Sequence, residues 1–245
     1  MHKLVNMVNV VTGSILLTKN MTKSDNEARK RHILTMAAEL FARFGYDKTT
    51  ISDLARAAGI SKGAIYLHFD SKDALFEALL MHEMSRYTDK WLDLLDGDED
   101  GGTLAGMYKN MLYALNESAF MKALFTQDQR VFGTYLHKPN NIFSHAQGEQ
   151  PSPRFQFVKA MQEAGAIRQD VDPQVTAHIM NMLAYSLVAL AEVIPATEMP
   201  PFEAVMQGIA DMMERAFAPE TGGNREIGKV IVRQIAAATR QQFKP

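Results

Sequence analysis

Apolar residues recur along the chain at three- and four-residue intervals, and no stretch alternates in the manner of a half-buried strand. Ile33, Ala37, Leu40, Phe41 and Phe44 form the first such stripe. It predicts a helix from about Asp25 that stops at Gly45, where a left-handed conformation is cheapest. Thr50 can cap a second, short helix with Asp53 completing a capping box. Ile51, Leu54, Ala55 and Ala58 would be its buried face and Gly59 its end. Ser61 opens a third helix that puts Ile65 and Phe69 on one side. Ser71 opens a fourth, with Asp73 near its positive end, and Leu75, Leu79 and Met84 carry it inward to about Leu95. Further helices are predicted near 103–117, 118–135, 153–164, 173–194, 201–218 and 225–242. Asp172 followed by Pro173 is a strong start for one of them. The polar stretch 136–152 reads as the longest loop, and Pro195, Pro200 and Pro201 bracket another break.

The expected fold is therefore all-α. Residues 25–70 form a small three-helix unit and 71–221 a larger helical domain, with the helix 71–95 connecting the two; 222–245 add one more helix. Residues 1–24 read as an extension. Its apolar-leaning part, Leu4 to Leu17, is only fourteen residues long and too short to span a bilayer, and no small-residue cleavage site follows. Met21 opens the charged run that follows and is the expected natural start. The acidic run at 96–102, DGDEDGG, reads as a linker. Asp96, Asp98, Asp100 and Gly101 match the opening of a calcium loop, but Met107 stands where a bidentate Glu is required, so a solvated loop is expected and no metal.

Composition narrows the classes. Hydrophobic residues are 47% and charged residues 22% of 245, as in ordinary globular proteins. There is no cysteine, which excludes disulfide scaffolds, thiolate catalysis and Cys-ligated metals and leaves a cytoplasmic location open. The net charge of −2 is unevenly spread: residues 1–75 carry +4 and the remainder −6. A basic head on an acidic body is the asymmetry to explain.

The most specific feature of that head is the stretch Thr49–Leu75. A helix, a tight turn at Gly59–Ile60–Ser61 and a second short helix have the spacing of a helix-turn-helix. Ile51, Leu54, Ala55, Ile60, Ile65 and Phe69 would supply its small core. The outer face of the second helix presents Ser61, Lys62, Gly63, Ala64, Tyr66 and His68 with no acid between Gly59 and Phe69. Such a face suits the edge of a DNA major groove.

Gly59-Ile60-Ser61-Lys62-Gly63, Ile65-Tyr66, Phe69 and Ser71-Lys72 resemble the DNA-binding segment of the TetR family of transcriptional regulators. The resemblance is close over about 28–80 and only architectural beyond, in the helix start at Asp172 and the two long helices that follow. It implies that Thr50 contacts phosphate and that Lys62, Gly63 and Ala64 face bases or adjacent backbone beside the capping Ser61. It further implies phosphate contacts for Tyr66, His68 and Lys72, and that Arg29, Lys30 and Arg31 reach the flanking backbone or minor groove. The expected partner is a palindromic double-stranded operator bound by a homodimer. Helix 173–194 is apolar around most of its circumference and, with 201–218 (Val205, Ile209, Met212, Met213, Phe217), is the expected dimer contact; a simple buried central helix is the competing reading.

The body is rich in methionine and aromatic residues, which permits a pliable cavity for a small hydrophobic effector. Trp91, Met107, Tyr108, Met111, Phe125, Phe132, Phe155 and Met161 are candidate lining residues, with Met84, Phe120, Tyr135, Phe157 and Met180 of the same kind. His178, Asn181 and Tyr185 form a polar stripe that would orient a ligand or bond across a dimer. The resemblance implies repression relieved by the effector. No catalytic signature appears: Arg86 stands where the second His of a zinc-protease motif starting at His82-Glu83 belongs, and there is no Gly-rich phosphate loop. No cofactor is expected. The alternative from another class is a helical carrier or adaptor that does not bind DNA.

Overall fold

The computed structural model describes residues 23–139, 141, 152–190, 193–195, 197–220 and 225–242. The extension 1–22, with its Met21 start, and most of the loop 136–152 lie outside them. Every regular element among the described residues is helical: α1 (Lys23–Phe44), α2 (Ile51–Ala57), α3 (Lys62–Tyr66), α4 (Lys72–Gly97), α5 (Leu104–Asn116), α6 (Ala119–Thr126), α7 (Gln129–Phe132), a 3-10 turn (Gly133–His137), α8 (Pro153–Glu163), α9 (Pro173–Leu190), α10 (Phe202–Phe217) and α11 (Arg225–Gln242). No helix among them is long and apolar enough to cross a membrane. The chain divides into two units, one of residues 1–40 and 49–79, the other of 41–48 and 80–245.

The first unit is built on its caps. Thr50 Oγ1 accepts from Asp53 N (3.2 Å) while Asp53 Oδ2 accepts from Thr50 N (3.1 Å), the reciprocal box that starts α2. Gly59 ends α2 at φ +66°, with Ile60 N–H on Ala55 O (3.0 Å) and Gly59 N–H on Arg56 O (3.2 Å), a Schellman closure. Ser61 Oγ caps α3 through Ala64 N–H (3.1 Å), and Ser71 Oγ caps α4 through Ala74 N–H (3.0 Å). Ile33, Leu34, Ala37, Leu54, Ala55, Ala58, Ile65, Phe69, Leu75, Phe76 and Leu79 are all buried. Ile51 and Ile60 are only half-buried, at the margin of that core.

The second unit surrounds α5, which is buried along nearly its whole length and packs beside α10, while α8 packs beside α9. Leu95, Met107, Leu112, Val158, Ile167, Met180, Ala184, Met206 and Met213 form the common core. The same unit takes in the end of α1 and the turn after it. Gly45 (φ +81°) closes α1, and a Cβ there would stand 2.2 Å from Arg130 O, so both conformation and space require glycine. Phe41 then stacks on Tyr46, ring centroids 6.1 Å apart, and Tyr46 meets Tyr135 at a tilt, 5.7 Å apart. The predicted face of α1 ends earlier than expected, because Phe44 is 47% exposed.

Three expectations are corrected. The single helix predicted at 118–135 is broken: Gln127 adopts a left-handed conformation (φ +50°), Asp128 caps a new turn, and Gly133 (φ +48°) abuts the Asp47 carboxylate, which also accepts Thr134 N–H (3.0 Å). The helix predicted at 173–194 ends at Leu190. The acidic run is not a solvated linker. Gly101, Gly102 and Thr103 are buried, with Gly102 against the start of α11, and three of the four carboxylates pair with Arg233 (Asp96, 2.5 Å), Lys109 (Asp98, 3.0 Å) and Arg225 (Asp100, 2.9 Å). Burial raises the Asp98 carboxyl, but hydrogen bonds from Lys109, Asn110 and Asp100 N–H and the Lys109 charge outweigh it and hold the group below its usual range.

Candidate nucleic-acid interface and effector cavity

The turn and α3 present one continuous exposed edge. Ser61, Lys62 and Gly63 are exposed, Ala64 half-buried, Tyr66 52% and Leu67 84% exposed, while Ile65 and Phe69 point into the core and are fully buried. The five-residue helix thus divides its side chains cleanly between anchor and surface. The small residues Gly63 and Ala64 leave the backbone accessible beside Lys62, the geometry a groove-reading helix needs. Leu67, the most exposed of the large apolar residues described, was not singled out from the sequence, although its place between Tyr66 and His68 on a helix end was the available signal.

The surrounding candidates divide by what already holds them. Arg29 and Arg31 are exposed on α1. Lys30 is half-buried with its ammonium 5.8 Å from the Phe69 ring centroid, so part of its role is to cover the core. Thr50 Oγ1 donates to Asp53 Oδ2 (2.6 Å) as well as accepting in the box, and those hydrogen bonds hold the Asp53 carboxyl below its usual range. Lys72 Nζ donates to Thr49 O (3.1 Å), tying the start of α4 to the start of α2. His68 is half-buried beside Phe69, with ring centroids 6.3 Å apart.

In the second unit a cavity of about 420 Å³ opens among α4, α5, α6, α8, α9 and α11. This is within the range of small-molecule sites. Of the candidate effector residues, Trp91, Met107, Tyr108, Met111, Phe125 and Asn181 line it. They are joined by Met84, Tyr87, Met121, Leu124, Arg154, Phe157, Met180 and Ile235. Trp91 is fixed by its indole N–H on Met107 O (3.0 Å) and Tyr108 by its hydroxyl on Met180 O (2.5 Å). Burial pushes the Tyr108 phenol up to about 12 and the Tyr87 phenol higher still, so both stay neutral.

The other candidates lie elsewhere. Phe132 is fully buried outside the cavity, its ring 5.8 Å from that of Phe120. Met161 is fully buried core, and Phe155 packs against that core without reaching the cavity. His178, Asn181 and Tyr185 are all exposed on α9, and of the three Asn181 alone borders this cavity. Arg154 was missed. Its signal was its isolation, with no acidic residue from Gln150 to Val158 in a segment carrying Phe155 and Phe157.

An exposed two-helix reading edge on a small capped core defines a DNA-binding helix-turn-helix protein, and the comparisons agree. Residues 33–79 match the family model "Bacterial regulatory proteins, tetR family". The HTH-type transcriptional repressor Rv1474c of Mycobacterium tuberculosis is 51% identical over 59 residues, 24% of this chain and 32% of that one. The HTH-type transcriptional repressor KstR2 of Rhodococcus jostii is 26% identical over 171 residues, 67% of this chain and 80% of the relative. The chain thus spans about a third of the first of these relatives and four-fifths of the second. The solved transcriptional regulator FadR of Bacillus subtilis, in complex with stearoyl-CoA, has the same fold at 15% identity, with a TM-score of 0.54 over 75% of this chain and 96% of that one. Residues 33–79 thus carry a DNA-binding segment of the tetR-family kind, and the rest of the chain shares the fold of such regulators.

Proposed function

We propose that the protein is a dimeric repressor released from a palindromic operator by a small, largely apolar effector. The observation that carries this reading is the fourth helix. Its first turns hold Lys72, Leu75, Phe76 and Leu79 in the DNA-reading unit, and farther along the same rod Met84, Tyr87 and Trp91 line the cavity. A molecule entering the cavity presses on the element that carries the reading head. Two heads must meet half-sites about 34–36 Å apart, so a small tilt suffices to spoil the match. Coupling of roughly 1–3 kcal/mol changes occupancy about 5- to 150-fold.

The dimer reading is supported by α9. Val175, Ile179, Met182 and Leu190 are exposed at helical spacing on one side, at 56, 36, 55 and 44%, and Tyr185 lies beside them at 52%. The opposite side, with Ala177, Met180 and Ala184, is buried. This exposed side weighs against the competing reading of a simple buried central helix. Met212 on α10 is likewise exposed, at 47%. An apolar stripe of this kind fits an isologous contact with a second copy.

Selection of bound DNA from a random pool, with sedimentation of the protein alone and on the winning duplex, tests the whole reading. The expected result is an inverted repeat bound by two chains, and Met182→Glu should yield monomers with at least tenfold weaker operator binding. A monomer that binds no duplex at low salt would favour the carrier alternative and overturn the proposal.

A further inference from the structure

Among the described residues that line the cavity, one is charged. Arg154 enters it from the first turn of α8 and lies among neutral groups. Its Nε donates to Asn181 Oδ1 (3.1 Å), one terminal nitrogen lies 3.2 Å from Met111 Sδ, and the guanidinium carbon stands 6.0 Å from the Tyr108 ring centroid. No carboxylate among the described residues forms an ion pair with it, whereas Arg56, Arg86, Arg130, Arg168, Arg225 and Arg233 each have one.

A guanidinium presents five N–H donors in a planar fork matched to two oxygens of one anion. Here protein groups occupy two of those donors, and one of the two acceptors is a thioether, a weak one. Burial accordingly disfavours the charged form and lowers the group from its usual value, with only the neighbouring phenols Tyr87 and Tyr108 set against that. Arg154 is half-buried, and a cation in an apolar wall with no carboxylate among the described residues to pair it is costly to keep. A hydrophobic effector alone gives no use for it. Met84, Trp91, Met121, Leu124, Phe125 and Ile235 supply the apolar surface that would receive the rest of the molecule.

We infer that the effector is an amphiphilic anion, an aliphatic body ending in a carboxylate or phosphate, and that Arg154, steadied by Asn181, is the head-group anchor. The inference rests on the reading of this cavity as the effector site. It separates anionic amphiphiles from neutral molecules of the same size, which would fill the apolar part and leave the guanidinium unmatched.

The chain has a single tryptophan, Trp91, and it lines the cavity, so its fluorescence reports occupancy directly. Dodecanoate, dodecyl phosphate and dodecan-1-ol are titrated into the full-length protein below their aggregation limits, and into the Arg154→Met variant. A charge-assisted pair replacing a neutral contact gives about ten- to hundredfold tighter binding. One of the two anions should therefore bind wild type at least tenfold more tightly than the alcohol. The stronger anion identifies the head group. In Arg154→Met the gap should collapse while the alcohol binds as before, and Arg154→Lys should restore part of it. Because the comparison of ligands is made first on wild type, it does not depend on the variants folding. Equal affinity for alcohol and both anions overturns the Arg154 inference and leaves the cavity reading standing. If none of the three alters Trp91 emission, the cavity reading fails and the anchor with it.

Discussion

Substituting Gly228 sets local propensity against packing. Gly228 lies inside α11, where alanine is favoured by about 1 kcal/mol over glycine. From helix propensity alone, Gly228→Ala should stabilise the protein. The structure predicts the opposite sign. A Cβ at Gly228 would stand 1.9 Å from Gly102 O, and one at Gly102 would stand 1.6 Å from Arg225 O, so two backbones cross with no room for a methyl group. Ordinary contact begins near 3.4 Å, and the atom that must yield is backbone in a buried turn. Forcing a group into such a site costs about 1–3 kcal/mol. If α11 instead lifts away, it forfeits the burial of Val232 and Ala236, which is of similar size, about 1.5–3 kcal/mol for the valine alone. Less the propensity gain, the expected net loss is up to about 2 kcal/mol, a fall in melting temperature of up to about 8 °C for a chain of this size. The control is Arg225→Ala with Arg233→Ala. Those ion pairs are about half exposed on both sides and contribute at most about 1 kcal/mol each. Thermal unfolding followed at Trp91 measures all three proteins. A Gly228→Ala protein more stable than wild type would falsify the packing argument and return α11 to the status of an amphipathic helix held by its charges.

Thr50→Ala should lower stability by about 0.5–2 kcal/mol through loss of the box, and Thr50→Ser should restore it, as measured by denaturant unfolding. Lys62→Ala should leave stability unchanged and flatten the dependence of log affinity on log salt by about 0.9, whereas Lys72→Ala should also lose about 1–2 kcal/mol of stability, since its ammonium donates to Thr49 O; titrations at several salt concentrations with parallel melts separate the two. The Asp98 carboxyl is held below its ordinary value of about 3.9, so its stabilisation is in place above that pH and is lost as pH falls through the lowered value. The stability gap between wild type and Asp98→Asn should accordingly be constant from pH 7 to pH 5 and shrink below about pH 4; a gap that grows on acidification would reverse the assignment.

The elements that could be located from the chain alone are those whose ends are decided within four residues. Thr50 with Asp53, Ser61 with Ala64, and the left-handed Gly45 and Gly59 are local devices, and each sits where its residue type implies. What escaped depends on partners far along the chain. The break at Gln127 carries no glycine or proline, and the turn beyond it is pinned by Asp47 reaching Thr134 across 87 positions. The acidic run read as solvated because its cations on α11 lie 131 and 137 residues downstream of it. The cavity was half legible for a similar reason. Trp91, Met111 and Phe125 are the same kinds of residue as Phe132 and Met161, and only the packing of distant helices decides which face a void and which fill the core. Arg154 differs in kind, since an arginine just ahead of two aromatics, with no acid within a turn, is a local anomaly.

The short segment Phe41–Lys48 bears on any attempt to transplant the DNA-reading part. It lies, in chain order, between two stretches of the reading unit, yet Phe41 and Tyr46 are buried with the body, and Tyr46 N–H donates to Val131 O at 2.7 Å. A fragment cut after Leu79 would carry two aromatic rings stripped of their partners and would tend to aggregate. A chimera grafting this reader onto another regulator inherits the same debt: unless the recipient offers a matching berth for both rings, specificity will travel with the graft but solubility will not.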